Sequence, residues 1–568
     1  MYQHDKTLLL LETLLLLAGS GSSQVRAAKE SEDMVTTDDP NGREPAAQGA
    51  QATRVHGRAQ QHAGGDLTEE LLTSDWWTDA MVQHAGIPIV DVPLVSVGGG
   101  IGSFVTVDYL RIAGVAPDHI RVLSNIDFPW QTYEYLTRVS QIPRGERIRS
   151  DSASRPDNIW GFPSYALAEA VHDRTLRPLW QVLVEPIWDD YYTPRAGQVF
   201  AGLEREAKRI GFPQMAVNGQ VRMVRRRQGG GYFTILTPPS DAPPSDAQPT
   251  QRVAYRSSFV HLAVGYPGLR FLPELQEFRT EHHDFHHVVS AYEDHEHVYN
   301  LARTKHVVVM LRGGGIVASR VLQRLMDDRE KFGLSTQIVH LFRTYVSGSH
   351  GPNAWNRRKG GNGFAYQGFN YPKSVWGGQL KSRMRKLEGD DRARAYKLMG
   401  GTNTPFRRRW QAQMRAGREA GWYRTMSGTV KQMRLADGMV ISEVETAEGL
   451  TEVAADFVID CTGLEADIAE HRVLADLFEH SGAGRNPLGR LDVERDFQLR
   501  GADSGTGVIY ASGATTLGGY FPGVDTFLGL QIAAQEIADD LARRGFCGRI
   551  GTLRSTAQWL RWAFGRAP

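Results

Sequence analysis

The apolar positions of this chain repeat one order twice. The predominantly apolar run Ile89–Val97 passes directly into Gly98-Gly99-Gly100-Ile101-Gly102-Ser103, after which Phe104, Val107, Leu110 and Ile112 recur at the spacing of one helix face. His119–Leu123 follows as a second short strand. This predicts strand, glycine turn, helix, strand, which is a βαβ unit. Val307–Leu311 opens the second copy. It runs into Arg312-Gly313-Gly314-Gly315-Ile316-Val317-Ala318-Ser319, a helix carrying Val321, Leu322 and Leu325, and the strand Gln337–Phe342.

Around these units the pattern is less regular. Asp66-Leu67-Thr68-Glu69 resembles a capping box, and the helix it opens is predicted to run through Trp76 and Met81 until Gly86 and Pro88 stop it. Val221–Leu236 and Val253–Val264 read as meander strands around a Pro-, Ser- and Asp-rich loop at 238–249. Residues 343–425 are dense in Arg, Gly, Trp and Asn without clean periodicity. Strands resume at Val430–Ala447 and Phe457–Asp460, and Leu528–Arg544 is an amphipathic helix. Residues 20–64 carry few large apolar side chains and are expected to be disordered.

Composition sharpens this picture in three places. Glycine supplies 60 of 568 residues, above the usual share of about 7%. Its triplets at Gly98–Gly100 and Gly313–Gly315 fall between strand and helix, whereas Gly229–Gly231 has no such context and reads as a hairpin. Lys and Arg number 65 against 64 Asp and Glu, a net charge of +1, so no global field steers nucleic acid or an anionic membrane. Cys461 and Cys547 are the two cysteines, too few for a CxxC dithiol, a disulfide framework or a cysteine zinc site. That count is compatible with a reducing compartment, and a cytoplasmic protein is the expectation. Leu8–Leu11 and Leu14–Leu17 have the length of a signal-peptide core but are interrupted by Glu12 and too short to span a bilayer. Signal, anchor and plain leucine-rich start stay open there, and no stable membrane insertion is expected.

The glycine turns carry the candidate chemistry. A dinucleotide pyrophosphate needs backbone N–H donors and the positive end of a helix dipole, with no side chain in the way. The copies read Gly98-x-Gly100-x-x-Ser103 and Gly313-x-Gly315-x-x-Ala318, where a small third residue allows close helix–strand packing. The strand after each turn should end near a group for the adenosine ribose. The first copy has Ser124-Asn125 there, with Asp127 slightly beyond; the second has His340 and Arg343 and no acid, which favours NADPH over NADH.

With two such turns and a β-rich insertion between them, the chain resembles the two-dinucleotide-domain flavoproteins, above all the flavin-containing monooxygenases, N-hydroxylases and Baeyer–Villiger enzymes. In that family the first turn holds FAD and the central one NADPH. A strand ending in Thr-Gly links the domains, and a C-terminal glycine segment closes over the flavin. Val458-Ile459-Asp460-Cys461-Thr462-Gly463 matches the Thr-Gly turn, and Leu262-Ala263-Val264-Gly265-Tyr266-Pro267 looks like its earlier counterpart. Gly507–Ala514 resembles the closing flavin strand, with Ala514 where Asp is frequent, and Gly523-Val524-Asp525 leads into the last helix. The resemblance covers residues 89–545 by motif order. It implies an α/β fold with two Rossmann-like, doubly wound dinucleotide-binding domains and a β-meander insertion. The expected division is an extension at 1–65, an FAD domain at 66–265, an NAD(P) domain with substrate loop at 266–455, and the rest of the FAD domain at 456–568. FAD contacts are expected at Gly98, Gly100, Gly102, Ser103, Asp127, Gly463, Gly513 and Asp525, and NADPH contacts at Gly313, Gly315, Ala318 and Arg343. The Baeyer–Villiger fingerprint FxGxxxHxxx(W/P) and a CxxC pair are absent, and the latter excludes disulfide reductases.

Three further stretches are chemically suggestive. Glu281-His282-His283-Asp284-Phe285-His286-His287 with His295-Glu296-His297 has metal-ligand residue types, but it leads into the second unit and is read as a polar connection, with no metal assigned. Asn158, Trp160 and Phe162 follow the first unit, where related flavoproteins touch the ring. Tyr366–Gly378, with Asn370, Lys373 and Trp376, is an aromatic, amide-rich candidate substrate loop. The expected function is oxygenation of a small molecule at an amine, sulfur or carbonyl centre, with oxygen and the small molecule as partners. An FAD-dependent dehydrogenase or oxidase, and a degenerate nucleotide-binding protein without catalysis, are the alternatives.

Overall fold

The computed structural model describes residues 65–148, 162–184, 192–239, 251–266, 268–350, 359–366, 379–399, 404–463 and 467–568. The leucine-rich start and the expected disordered stretch lie outside the described residues.

Two five-stranded, all-parallel sheets organise the chain. In the first, Leu94–Val97 is central. Ile120–Ser124 and Ala216–Asn218 lie to one side, Phe259–Leu262 and Val508–Ala511 to the other. In chain order this is 3-2-1-4-5, the doubly wound order in which crossovers diverge from the central strand. The second sheet centres on Val308–Arg312, with Gln337–Phe342 and Tyr423–Ser427 on one side and Phe457–Asp460 and Val288–Ser290 on the other. Its strands are apolar on both faces: Val309, Leu311 and Ile338 enter one core cluster, Met310, Leu341 and Val458 another. Burial on both faces is what a parallel sheet covered by helices requires.

Pairing redraws one domain boundary. Phe457–Asp460 lies inside the second sheet, against Val308–Arg312, rather than at the head of a closing FAD segment beginning at 456. The closing segment enters the first sheet only at Val508–Ala511. Its helix Phe527–Arg543 then packs against the first helix, Ile101–Ile112.

Three predicted elements are broken, one of them the expected meander stretch Val253–Val264, whose Val253–Ser257 stays in the meander while Phe259–Leu262 joins the first parallel sheet. The helix expected from Asp66 to Gly86 divides into Glu69–Thr73 and Asp79–His84, capped by Thr68 and Thr78. Between them Trp76–Trp77 forms a strand against Arg226–Arg227, because fully buried Trp77 donates its indole N–H to the Leu71 carbonyl at 3.0 Å. The single strand expected over Ile89–Val97 divides at Pro93, which has no N–H to give a ladder. Ile89–Asp91 joins a mixed five-stranded sheet with the meander strands Gln220–Arg227, Tyr232–Thr237 and Val253–Ser257. Gly229–Gly231, all at positive φ, turn the hairpin between the first two of these.

Candidate functional site

Each glycine turn leaves the end of a central strand and opens a helix. Gly98 sits at φ +92°, and a Cβ there would lie 2.5 Å from the Ala263 carbonyl oxygen, so the turn demands glycine. Gly100 is the N-cap of Ile101–Ile112, with no side-chain cap, and nothing lies within 4 Å of the position its Cβ would take. The helix therefore presents its N–H groups beside open space, the arrangement an anionic phosphate fits. Gly102 instead faces protein: its Cβ would touch Ala263, Leu530 and Ser512 at 3.3–3.6 Å. Ser103 is fully buried and donates to the Gly98 carbonyl, fastening helix to turn.

The second turn repeats the design. Gly313, at φ +119°, passes the Cys461 carbonyl so closely that a Cβ would lie 2.9 Å away. Gly315 caps Ile316–Phe332 without a side-chain hydrogen bond, and Ala318 is completely buried beneath it. His340 turns into the sheet rather than toward a ribose, contacting the Gly313 carbonyl through Nε2 at 2.7 Å. Burial pushes its pKa down to about 3. Arg343, just past the strand Gln337–Phe342, is exposed. In the Thr-Gly turn, Asp460 accepts from the backbone and hydroxyl of Thr462 at 3.2 and 3.0 Å, and Gly463 follows at φ +137°. Burial raises the Asp460 pKa against the opposing pull of Arg312, and burial holds the Cys461 thiol protonated.

The closing segment returns to the first turn. Gly513, at φ +82°, follows Ser512, whose hydroxyl lies 3.6 Å from the Cβ position of Gly102. Asp525 is exposed and accepts from the Tyr266 hydroxyl at 3.0 Å, joining this segment to the earlier Leu262–Pro267 stretch. Asp127 is exposed, with its backbone N–H on Gln131 Oε1 at 2.7 Å; Ser124 occupies the strand end beneath Gly99.

Some groups had no signal in the sequence. Buried His261 contacts Ser96 and Ser512 at 3.0 and 2.8 Å. Arg392, also buried, donates through Nε to the Gly518 carbonyl at 2.9 Å, and Tyr396 donates to the Gly519 carbonyl at 3.0 Å. Thus the helix Gly389–Met399 supports the closing loop. Arg320 meets Glu146 at 3.2 Å and Arg324 meets Gln141 at 3.0 Å, linking the second helix to the segment after the first unit. Asn158, Trp160, Asn370, Lys373 and Trp376, and the side chain of Phe162, lie outside the described residues. In the histidine-rich stretch His286 stacks on His297 with ring centroids 4.1 Å apart, and His287 pairs with Asp284 at 2.6 Å. Among the described residues no group of three His, Cys, Asp or Glu side chains is placed to hold a metal. Nor is any helix among them long and apolar enough to cross a membrane.

No family model matches the chain, and no curated protein matches it in sequence. Solved structures do share its fold. Ornithine hydroxylase from Pseudomonas aeruginosa is similar at 16% identity, with 80% of this chain and 99% of that one covered and a TM-score of 0.57. Ornithine N-hydroxylase from Kutzneria sp. 744, solved with reduced FAD, NADP+ and L-ornithine, gives 13% identity, 80% and 100% coverage and a TM-score of 0.57. The FAD-bound cadaverine monooxygenase from Erwinia amylovora gives 12%, 79% and 94%, and 0.54. The two-sheet architecture is thus shared with these solved proteins.

Proposed function

We propose that this protein is an FAD- and NADPH-dependent monooxygenase that hydroxylates a small amine. One observation carries the reading: two doubly wound sheets each end their central strand in a glycine turn that opens a helix with no side-chain cap. Solved proteins that share the fold include two ornithine hydroxylases and a cadaverine monooxygenase, whose substrates are primary amines.

In this reading FAD lies at the first turn, over Gly98 and Gly100, with Gly102 and Ser103 holding the helix close, and Gly513 and Asp525 contributing from the closing segment. Gly463, expected at the flavin, instead follows Cys461 beside the second turn and is assigned to the NADPH side. Asp127 is the acid nearest the ribose end. NADPH lies at Gly313, Gly315 and Ala318, with Arg343 facing its extra phosphate. Asn370, Lys373 and Trp376 are the proposed substrate contacts. When bound, the flavin supplies two-electron transfer from NADPH and activation of oxygen. The balance is R–NH2 + O2 + NADPH + H+ giving R–NHOH + NADP+ + H2O. The chain's own part is to bind and orient: the turns offer backbone N–H groups and helix dipoles to the phosphates. A cytoplasmic location, where both cysteines stay reduced, belongs to the same reading.

The test is to reconstitute purified protein with FAD and follow NADPH and oxygen consumption over a panel of diamines, basic amino acids and sulfides. Hydroxylamine formation matched to NADPH consumption is expected. Oxygen uptake with no oxygenated product across amines and sulfides favours an oxidase, and failure to take up FAD overturns the proposal.

A further inference from the structure

His261 lies in Phe259–Leu262, between the central strand and Val508–Ala511, and is completely buried. Its polar neighbours Ser96, Thr106 and Ser512 belong to three different elements, and hydrogen-bond chemistry allows them only one arrangement of protons. The Gly98 carbonyl can only accept, so the Ser103 hydroxyl donates to it. Ser96 then donates to Ser103 Oγ at 2.8 Å. With its hydrogen committed, Ser96 Oγ accepts from Nδ1–H of His261 at 3.0 Å. In the neutral ring Nε2 is left bare and accepts from the Ser512 hydroxyl at 2.8 Å. Thr106, 3.4 Å from Nε2, has its own hydrogen on the Gly102 carbonyl at 3.0 Å. The result is a directed chain from Ser512 through His261, Ser96 and Ser103 to Gly98.

We propose that His261 is a positioning residue that locks the closing turn at Ser512–Gly513 to the phosphate turn at Gly98, so that the two grip the dinucleotide as one unit. The inference rests on the reading of the first turn as the FAD site. Fixing the Gly98 carbonyl toward the helix points the following amide N–H the opposite way, because carbonyl and N–H oppose each other across a trans peptide. At the other end, Ser512 precedes a glycine held at positive φ and has no other hydroxyl acceptor to replace Nε2 among its described partners.

The test compares FAD dissociation constants, the visible circular dichroism of bound flavin and thermal midpoints for the unmodified protein, His261→Asn, Ser512→Ala and Ser103→Ala. Asn keeps a donor toward Ser96 but offers Ser512 nothing at the Nε2 position. His261→Asn and Ser512→Ala should each weaken FAD about tenfold, the effect of removing one buried hydrogen bond. The double variant should be no weaker than either, since both cut the same link. The flavin dichroism should change in all three variants. Altered midpoints with unchanged FAD affinity and dichroism would mean plain structural support and overturn the inference; if His261→Asn fails to fold, Ser512→Ala and Ser103→Ala decide alone. An unmodified protein that binds no FAD instead overturns the functional reading itself.

Discussion

His340 holds the second glycine turn through a single contact, Nε2 to the Gly313 carbonyl at 2.7 Å. A carbonyl only accepts, so Nε2 carries the hydrogen and Nδ1 accepts from the Tyr423 hydroxyl at 3.1 Å. This neutral tautomer is what burial favours: the pKa is pushed down to about 3, as is that of His261.

Stability should therefore fall with acid. Below pH about 6.5 the unfolded chain takes up protons on these histidines that the native state refuses, so stability is complete above that value and declines as pH drops toward 3. At pH 5 the loss is about 2 kcal/mol per histidine. His295 and His471, also pushed down by burial, act in the same direction. Urea midpoints from pH 8 to 4 check this. His340→Gln, which keeps a donor for Gly313 but cannot titrate, should recover one histidine's share. A midpoint unchanged to pH 4 would refute the neutral-imidazole assignment.

Gly98 and Gly100 separate folding from binding. Gly98→Ala forces a Cβ onto the Ala263 carbonyl at a φ that costs about 1–3 kcal/mol for the backbone alone, so it should destabilise the protein with or without ligand. Gly100→Ala meets no protein atom within 4 Å and has an ordinary φ of −73°. Its unfolding free energy should fall by no more than about 1 kcal/mol of capping preference, while FAD affinity drops at least about tenfold. Calorimetry and flavin titration on the two variants check the pair. Equal FAD affinity for Gly100→Ala and the unmodified protein would move the phosphates elsewhere.

These turns were legible because everything that marks them is local: an apolar run, a glycine cluster, then helical spacing. What the sequence hid depends on partners far along the chain. Ser96, His261 and Ser512 look unremarkable singly, and they meet only because parallel pairing sets three distant strands side by side. The same non-local pairing put Phe457–Asp460 into the second sheet, where its Thr-Gly ending had pointed to the closing segment. Trp76–Trp77 kept a helical spacing but left the helix, since strand pairing with Arg226–Arg227 and burial of Trp77 among Leu71, Val82 and Phe233 outweighed local preference. Pro93 was a readable break that the apolar run around it obscured.

The cysteines should be chemically silent in the native protein. Burial raises the Cys461 thiol far above its ordinary range and the half-buried Cys547 thiol to about 11. At pH 8 the reactive thiolate of Cys547 is then about one part in a thousand. Alkylation followed by mass spectrometry should find Cys461 unmodified until denaturant is added and Cys547 slow. Rapid native labelling of Cys461 would contradict its place against Gly313.

Arg343 tests cofactor choice at the second turn. It stands exposed immediately after the strand that follows Gly313–Gly315, with no carboxylate at the strand end to take a ribose hydroxyl. A guanidinium there can pair with the additional phosphate of NADPH, but has no such partner on NADH. Arg343→Ala should weaken NADPH about 10- to 100-fold, the range for losing a charge-assisted hydrogen bond, while NADH changes less than about twofold. Because the side chain is exposed, the unfolding free energy should stay within about 0.5 kcal/mol of the original. Steady-state KM values for the two nucleotides measure this directly, and salt sharpens the contrast, since added ions screen an exposed phosphate–guanidinium pair. Equal losses for NADPH and NADH would remove Arg343 from phosphate recognition and leave it a surface residue.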